Sequence, residues 1–209
     1  MNAVEKRIYK LAKPYLVVRE NDIHTRVATE LALELLKHVG GDRRVVGPAI
    51  ILHDVGWFNV PSELDKWRNN PENSALIKPH EIEGVKIAKR VLEEVGYDSS
   101  LVNEILHIIG SHDTGGAPQS VNEEIVRAAD VLWRYTKNAL GVMVRLFNST
   151  PAEVVERLES NLNEWFFIPV SKKMAIHELE ERKREVAAGL HDLDWIGEPA
   201  IDKIAGTQD

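Results

Sequence analysis

Three histidines of this 209-residue chain lie on the apolar stripes of predicted helices, so their rings are expected to point inward. His24, His80 and His112 each continue a series of residues spaced three or four positions apart, which shares one helix face. A single inward histidine is more often a hydrogen-bonded core residue than a metal ligand. Three of them require a common explanation. The stripes are Val27, Ala28, Leu31 and Leu35 for the first, Gly84, Ile87 and Val91 for the second, and Leu101, Ile105 and Ile108 for the third.

A fourth histidine and two aspartates are also predicted to be buried. His53 and Asp54 follow the run Ala49–Leu52, which is apolar on every helix face and must lie in the core. Asp130 lies on the apolar face of the segment IVRAADVLW. A buried ionised carboxylate is costly unless a salt bridge, hydrogen bonds or a metal compensates for it. Each aspartate therefore requires a partner.

A metal centre would satisfy all six side chains at once. The chain has no cysteine, which excludes disulfides, thiolate metal sites and cysteine nucleophiles. Imidazole and carboxylate ligands without thiolate suit Mn, Fe, Co, Ni or Zn. Six protein ligands exceed what one ion with an open position takes, so we expect two divalent transition-metal ions. The expected ligands are His24, His53, Asp54, His80, His112 and Asp130.

The other four histidines are not expected to bind metal. His107 shares a polar helix face and could at most support a ligand, whereas His38 lies near a helix C-terminus, where its charge is favourable. His177 falls in the charged stretch HELEERKRE and is expected to be solvated. His191 and Asp192 form a second His-Asp pair, but this pair lies in an irregular tail, and the dipeptide alone is a weak motif.

Helices are predicted to position these residues. Apolar residues recur with helical periodicity between short breaks rich in Gly, Pro and Asn. Asn21 and Asp22 are candidate caps for the helix that carries His24. Residues 56–78 are predicted to form a long excursion, and the tail after Gly189 is predicted to be irregular. We predict an all-α, compact helical bundle with helices over 2–12, 22–38, 43–54, 79–95, 99–112, 121–146, 151–162 and 172–189.

The composition favours a single-domain protein and argues against nucleic-acid-binding and membrane-spanning classes. With 44% hydrophobic content we expect a single domain over residues 1–209, with the ligands at about 20–140 and C-terminal helices and tail over 141–209. The net charge of -7 gives no basic surface for a nucleic-acid polymer. No apolar run approaches the ~20 residues of a membrane span, and the start lacks a signal-peptide apolar region. We therefore expect a cytoplasmic protein with no membrane partner, and a homo-oligomer stays open.

The order of the six residues resembles the signature of the HD superfamily of metal-dependent phosphohydrolases, H…HD…H…H…D. The segments IHTRVATELALELL, IILHDVGW, PHEIEGVKIA and VRAADVLWR carry the resemblance, which covers about residues 20–140. The resemblance implies an HD-type helical domain in which Asp54 bridges two ions. It further implies that one ion is completed by His24, His53 and Asp130, and that the second is bound by His80 and His112.

One residue and one segment differ from patterns found in members of this family. Many phosphodiesterases of the family have lysine where this chain has Trp57, so that cationic substrate contact is missing or supplied elsewhere. The segment HDTGGAP at 112–118 is only faintly similar to the DGxGYP motif of the cyclic-dinucleotide phosphodiesterases. It gives no ground for that specificity.

The resemblance implies hydrolysis of a small, nucleotide-like phosphomonoester or phosphodiester by a metal-bound hydroxide, with Asp54 and His53 at the catalytic centre. Metal binding lowers the pKa of water to about 7. Arg134 and Lys137, at i+4 and i+7 from Asp130, are candidates for binding the substrate phosphate, or are solvated residues at a helix end. Two alternatives stay open: an HD-type di-iron oxygenase that cleaves a C–C or C–P bond with dioxygen, and a helical interaction or sensory protein whose centre is structural or vestigial.

Overall fold

The structure of the protein, a computed structural model, describes residues 1–60 and 77–193. These residues form nine α-helices and no strand, which confirms the predicted all-α fold. Most of the predicted excursion and most of the predicted tail fall on residues 61–76 and 194–209, outside the described residues. The helices are α1 (Ala3–Ala12), α2 (Asn21–Val39), α3 (Arg43–Leu52), α4 (Lys78–Glu94), α5 (Ser99–Ile109), α6 (Val121–Leu132), α7 (Lys137–Phe147), α8 (Pro151–Asn161) and α9 (Pro169–Ala187), with short 3-10 helices over Lys13–Tyr15, Val55–Asn59 and Trp133–Tyr135.

Helix α3 lies at the centre of the hydrophobic core. Every residue from Val45 to Leu52 is buried, as the apolar run predicts. The helix packs against α1, α2, α5 and α6. Burial of each large aliphatic side chain contributes about 1.5–3 kcal/mol. This packing fixes the C-terminal end of α3, where His53 and Asp54 follow.

The backbone of the 3-10 helix Val55–Asn59 lies directly against the start of α4. A Cβ atom added to Gly56 would lie 1.9 Å from the carbonyl oxygen of His80 and 2.4 Å from the amide nitrogen of Gly84. Only a residue without a side chain permits such close approach of two backbones. The contact brings the segment that contains His53 and Asp54 next to His80.

Helix α2 begins at Asn21 without a side-chain cap, so the prediction that Asn21 or Asp22 caps it is wrong. The preceding residues Arg19 and Glu20 both have a φ of +58°, in the left-handed region that is strained for residues other than glycine. The Glu20 carboxylate pairs with Arg145 of α7 at 2.8 Å, and the Asn21 amide donates to the carbonyl of Asp54 at 3.4 Å. Contacts with distant parts of the chain therefore fix this turn.

The helix predicted over residues 121–146 is interrupted, and this part of the prediction is wrong. Helix α6 ends at Leu132, and Thr136 is extended, with ψ of 159°, before α7 begins. Between them the ring of Tyr135 is fully buried, and its hydroxyl donates to the carbonyl of Leu158 at 2.9 Å. Burial of this side chain accompanies the change in direction. Lys137 therefore does not share a helix with Asp130.

Candidate metal centre

The six side chains that the sequence predicts as ligands meet in one buried cluster. His24 projects from α2, His53 and Asp54 follow α3, His80 lies in the first turn of α4, His112 follows α5, and Asp130 lies on α6. None of the six is more than 6% exposed. Five helices thus converge on this cluster, as the apolar stripes indicate.

Asp54 lies between two pairs of histidines. Its Oδ2 atom is 3.2 Å from Nδ1 of His24 and 3.7 Å from Nε2 of His53. Its Oδ1 atom is 3.8 Å from Nε2 of His80 and 3.7 Å from Nε2 of His112. The two carboxylate oxygens therefore face different histidine pairs.

Asp130 faces only the first of these pairs. Its Oδ1 atom is 3.0 Å from Nε2 of His24 and 3.6 Å from Nε2 of His53. His24, His53 and Asp130 thus form a group whose ligand atoms lie within 4.8 Å of one another. His53, Asp54 and His112 form a second such group.

Backbone carbonyls orient three of the imidazole rings. The Nδ1 atoms of His53, His80 and His112 lie 2.8, 2.5 and 2.9 Å from the carbonyl oxygens three residues earlier. A carbonyl can only accept a hydrogen bond, so Nδ1 carries the proton in each ring. The Nε2 atom of each neutral ring then presents a lone pair to the centre. Such contacts are typical of histidines that bind metals.

Two tryptophans support the cluster from either side. The indole nitrogen of Trp57 donates to Oδ1 of Asp54 at 3.0 Å, and its ring stacks on His80 with centroids 4.1 Å apart. The ring of Trp133 stacks on His24 at 4.5 Å. Trp57, which departs from the family pattern, therefore positions a carboxylate and an imidazole.

The donor atoms of the cluster fit a divalent cation. The Nε2 atoms of His80 and His112 are 3.2 Å apart, although each neutral ring has a lone pair there. The Nε2 atom of His53 is buried and has no hydrogen-bond partner among residues 1–60 and 77–193. Facing lone pairs and a buried unpaired nitrogen are costly unless a proton or a metal ion lies between them. Nitrogen and oxygen donors without sulfur suit a transition metal.

Asp113 also lies at the centre, although the sequence analysis did not select it. Its Oδ2 atom is 3.6 Å from Nε2 of His80 and 4.0 Å from Nε2 of His112. These three residues form a further group with metal-ligand spacing. The sequence signal was another His-Asp dipeptide, His112-Asp113, at the end of an apolar helix stripe.

Glu81 holds the loop that carries Asp113. This fully buried carboxylate accepts hydrogen bonds from the amides of Asp113 and Thr114, both at 2.9 Å. Lys78 lies 2.7 Å from its other oxygen. Burial would raise the pKa of Glu81, but the bonds from Lys78 and Thr114 outweigh burial and lower it. The carboxylate thus stays ionised and anchors the loop.

Opposite charges at the centre shift the pKa values of its members. Burial would raise the pKa of Asp54, but the imidazoles of His53, His112 and His24 hold it well below its usual range. Burial would lower the pKa of His24, but the carboxylates of Asp130 and Asp54 raise it to about 9. The same balance raises the pKa of His112 to about 10. Without metal, protonated imidazoles therefore balance the carboxylates at neutral pH.

The centre opens into a pocket whose walls come from several elements. One of the two predicted phosphate-binding residues, Arg134, lies there, with Nη2 3.6 Å from Oδ2 of Asp130. The other, Lys137, pairs instead with Glu185 at 4.0 Å. The pocket is lined by Arg19, Asn21, His24, Asp54, Asp113, Asp130, Trp133, Arg134, Val142, Met143, Leu146 and Phe147.

The remaining histidines lie apart from this cluster or at the end of the described chain. His107 faces Glu123 at 3.5 Å with 40% of its side chain exposed, and His38 faces Glu34 at 3.3 Å. His177 is exposed, as its charged surroundings predict. His191 is partly buried, two residues before the described part of the chain ends.

Comparison with family models assigns this chain to a known family. The family model of the HD domain matches residues 21–134, more than half of the chain and all six predicted ligands. The chain belongs to the HD domain family. HD domains form a superfamily of metal-dependent hydrolases that bind divalent ions. Neither the comparison with curated proteins nor the comparison with solved structures finds a match.

The described helices include no candidate for a membrane span. None of those in residues 1–60 and 77–193 combines the length and the apolar character that crossing a bilayer requires.

Proposed function

We propose that this HD domain protein is a phosphohydrolase that acts on a small phosphate ester with the help of divalent metal ions. One observation supports the proposal above others: the buried Asp54 carboxylate separates two histidine pairs beside a pocket that contains Arg134. A carboxylate in this position can serve two ions at once. Paired ions about 3.5–4 Å apart suit displacement at phosphorus. Family membership supports metal-dependent hydrolysis.

The residues divide between two ion positions. Asp54 would contribute one oxygen to each. When bound, the ions would lower the pKa of water and neutralise charge on the phosphoryl oxygens. One position would be completed by His24, His53 and Asp130, and the other by His80, His112 and Asp113.

The protein itself orients the ligands and the substrate. The carbonyls behind His53, His80 and His112 keep the Nε2 lone pairs directed to the centre, and Trp57 keeps the Asp54 carboxylate in place. The planar guanidinium of Arg134 would bind a phosphoryl oxygen, because it lies beside Asp130 and lines the pocket.

Phosphate release from a panel of phosphomonoesters and phosphodiesters tests the proposal. The protein should be purified, stripped of metal and reloaded with Mn, Co or Ni. Hydrolysis that a chelator abolishes and metal restores would support it. Iron-loaded protein that consumes dioxygen and releases no phosphate would contradict it and favour the oxygenase. Failure to take up any metal would contradict it and favour a non-enzymatic interaction or sensory protein.

Asp113 should contribute to the affinity for one of the ions. We expect Asp113→Asn to weaken that ion's binding by about 10- to 100-fold, because the amide is a poorer ligand while its backbone bond to Glu81 persists. Metal titration by calorimetry would measure affinity and the number of ions per chain. Asp98→Asn is the matched control, since Asp98 is remote from the centre and asparagine caps α5 equally well. Unchanged affinity in Asp113→Asn would remove Asp113 from the site.

Metal binding at pH 7 should release protons. The raised pKa values of His24 and His112, about 9 and about 10, mean that both rings are protonated without metal. Ligation requires neutral imidazole, so we expect about two protons per chain, falling towards none above pH 10. Calorimetry in buffers with different ionisation enthalpies counts these protons.

The same shifts should make the metal-free protein less stable at alkaline pH. A raised histidine pKa stabilises the fold below the ordinary value of 6.5, and this contribution is lost as pH rises through about 9 to 10. Metal-free protein should therefore melt at a lower temperature at pH 10 than at pH 7.

His38→Gln, outside the centre, should leave the number of protons released on metal binding unchanged. A count near zero at pH 7 in the wild type would contradict the assignment of both rings.

A further inference from the structure

We infer that the pocket beside the metal centre binds the dianionic phosphate of a monoester, between the guanidinium groups of Arg19 and Arg134. The inference rests on the proposed phosphohydrolase function and names its substrate class. Arg19 lies outside the segment that matches the HD family, residues 21–134. It was not among the residues that the sequence indicated.

The backbone at Arg19 is held in a strained conformation. Arg19 and Glu20 both occupy the left-handed region, which residues other than glycine keep only where surrounding contacts enforce it. The enforcing contact is the bidentate pair between Glu20 and Arg145, at 3.0 and 2.8 Å. Arg145 lies on α7, which also forms a wall of the pocket. The backbone conformation that directs the Arg19 side chain is therefore stabilised by a contact with α7, the helix that forms a wall of the pocket.

The guanidinium of Arg19 is also held at its far end. Its carbon lies 4.0 Å from the ring centroid of Trp57, within the range of a cation–π interaction. The same indole donates to Asp54 and stacks on His80. Arg19 thus places a positive charge on the side of the centre formed by Asp54 and His80.

Arg134 provides a second positive charge, next to Asp130. Its Nη2 atom lies 3.6 Å from Oδ2 of Asp130. Asp130 belongs to the group of possible metal ligands with His24 and His53, whereas His80 belongs to another group. The Arg134 guanidinium lies 5.4 Å from the ring centroid of Trp165. Metal ions would neutralise the carboxylates Asp54, Asp113 and Asp130. The two arginines then leave the pocket cationic, which suits an anion between them.

The number of donors favours a monoester over a diester. A phosphomonoester has three terminal oxygens and two negative charges, which the ions and two guanidinium groups can all contact. A diester has two terminal oxygens and one charge, so an ester oxygen would face one of the arginines and accept weakly. The organic group of the monoester would lie against the apolar wall formed by Val142, Met143, Leu146 and Phe147 of α7.

Two measurements on the Mn-loaded protein test the inference. The first is kcat/KM for p-nitrophenyl phosphate and for bis-p-nitrophenyl phosphate, in wild type and Arg19→Gln. We expect wild type to prefer the monoester, and the variant to lose about 10- to 100-fold on the monoester but about 3-fold or less on the diester. The second is calorimetric binding of phenylphosphonate, a non-hydrolysable probe, which Arg19→Gln should weaken by about 10-fold or more.

Arg184→Gln is the matched control, because Arg184 is an exposed arginine on α9 that pairs with Glu181 away from the pocket. It should leave both measurements unchanged. A wild-type preference for the diester, equal losses on both esters, or unchanged phenylphosphonate binding in Arg19→Gln would each overturn the inference. If neither ester is hydrolysed but Arg19→Gln still weakens phenylphosphonate binding, the proposed hydrolysis fails and the anion site stands. If the esters are hydrolysed but Arg19→Gln binds phenylphosphonate like the wild type, the anion site fails and the proposed hydrolysis stands.

Discussion

Replacing Asp54 by asparagine should abolish metal loading and lower hydrolysis by at least about 1,000-fold. Asp54 is the one carboxylate among those described here that lies within 4 Å of histidines from both pairs. Asparagine keeps the shape but removes the negative charge and replaces one of the two carboxylate oxygens by an NH2 group. Metal content per chain by mass spectrometry and phosphate release from the best ester of the panel would measure both effects.

Thermal melting separates this effect from unfolding. Added metal should raise the melting temperature of the wild type, because an ion that binds only the folded state stabilises that state. The melting temperature of Asp54→Asn should not change when metal is added. Circular dichroism should report the same helix content in both proteins. Asp98→Asn should load and hydrolyse like the wild type. An Asp54→Asn protein that keeps both ions and full activity would place the chemistry elsewhere.

Replacing Gly56 by alanine should destabilise the protein by about 3 kcal/mol or more, which corresponds to about 10 °C in melting temperature. The new Cβ would meet backbone atoms of His80 and Gly84 at 1.9 and 2.4 Å, and backbone atoms cannot rotate away. The 3-10 helix and α4 would have to separate. Separation would also move His80 relative to Asp54, so metal affinity should fall as well.

Gly116→Ala is the matched control for Gly56→Ala. A Cβ added to Gly116 would meet no described atom within 4 Å, and its φ does not lie in the left-handed region. We expect a change within about 0.5 kcal/mol, as is usual for surface positions. Chemical denaturation of metal-free proteins would compare the two variants. Equal stability of Gly56→Ala and wild type would mean that the two backbones are not in contact.

Helix periodicity and the apolar run before His53 predicted six of the side chains that meet at the centre. His24, His80 and Asp130 each lie on an apolar stripe, and the core forces residues on such a stripe towards one another. An ionisable side chain that is buried with no partner on its own helix then indicates a partner that it shares with side chains from other helices. This inference needs no knowledge of loop conformation, because each residue is positioned by its own helix.

Residues placed by loops and long-range contacts were missed. Asp113 follows the end of α5 and reaches the centre because Glu81, from another helix, binds its amide. Arg19 reaches the pocket through a strained turn that an ion pair between Glu20 and Arg145 holds across 125 residues. At the break before α7, Tyr135 is buried and its hydroxyl donates to the carbonyl of Leu158. Local sequence patterns carry no signal of such partners.

The extended residue Thr136 separates the helices that carry the six predicted ligands from α7. The family match ends at residue 134, just before it, and includes the six predicted ligands, whereas α7, which forms the apolar wall, begins just after it. If the proposed function holds, reactivity and selectivity would be carried on different helices. Substitutions confined to the inner face of α7 should retune which alcohol the pocket accepts while ion affinity stays constant.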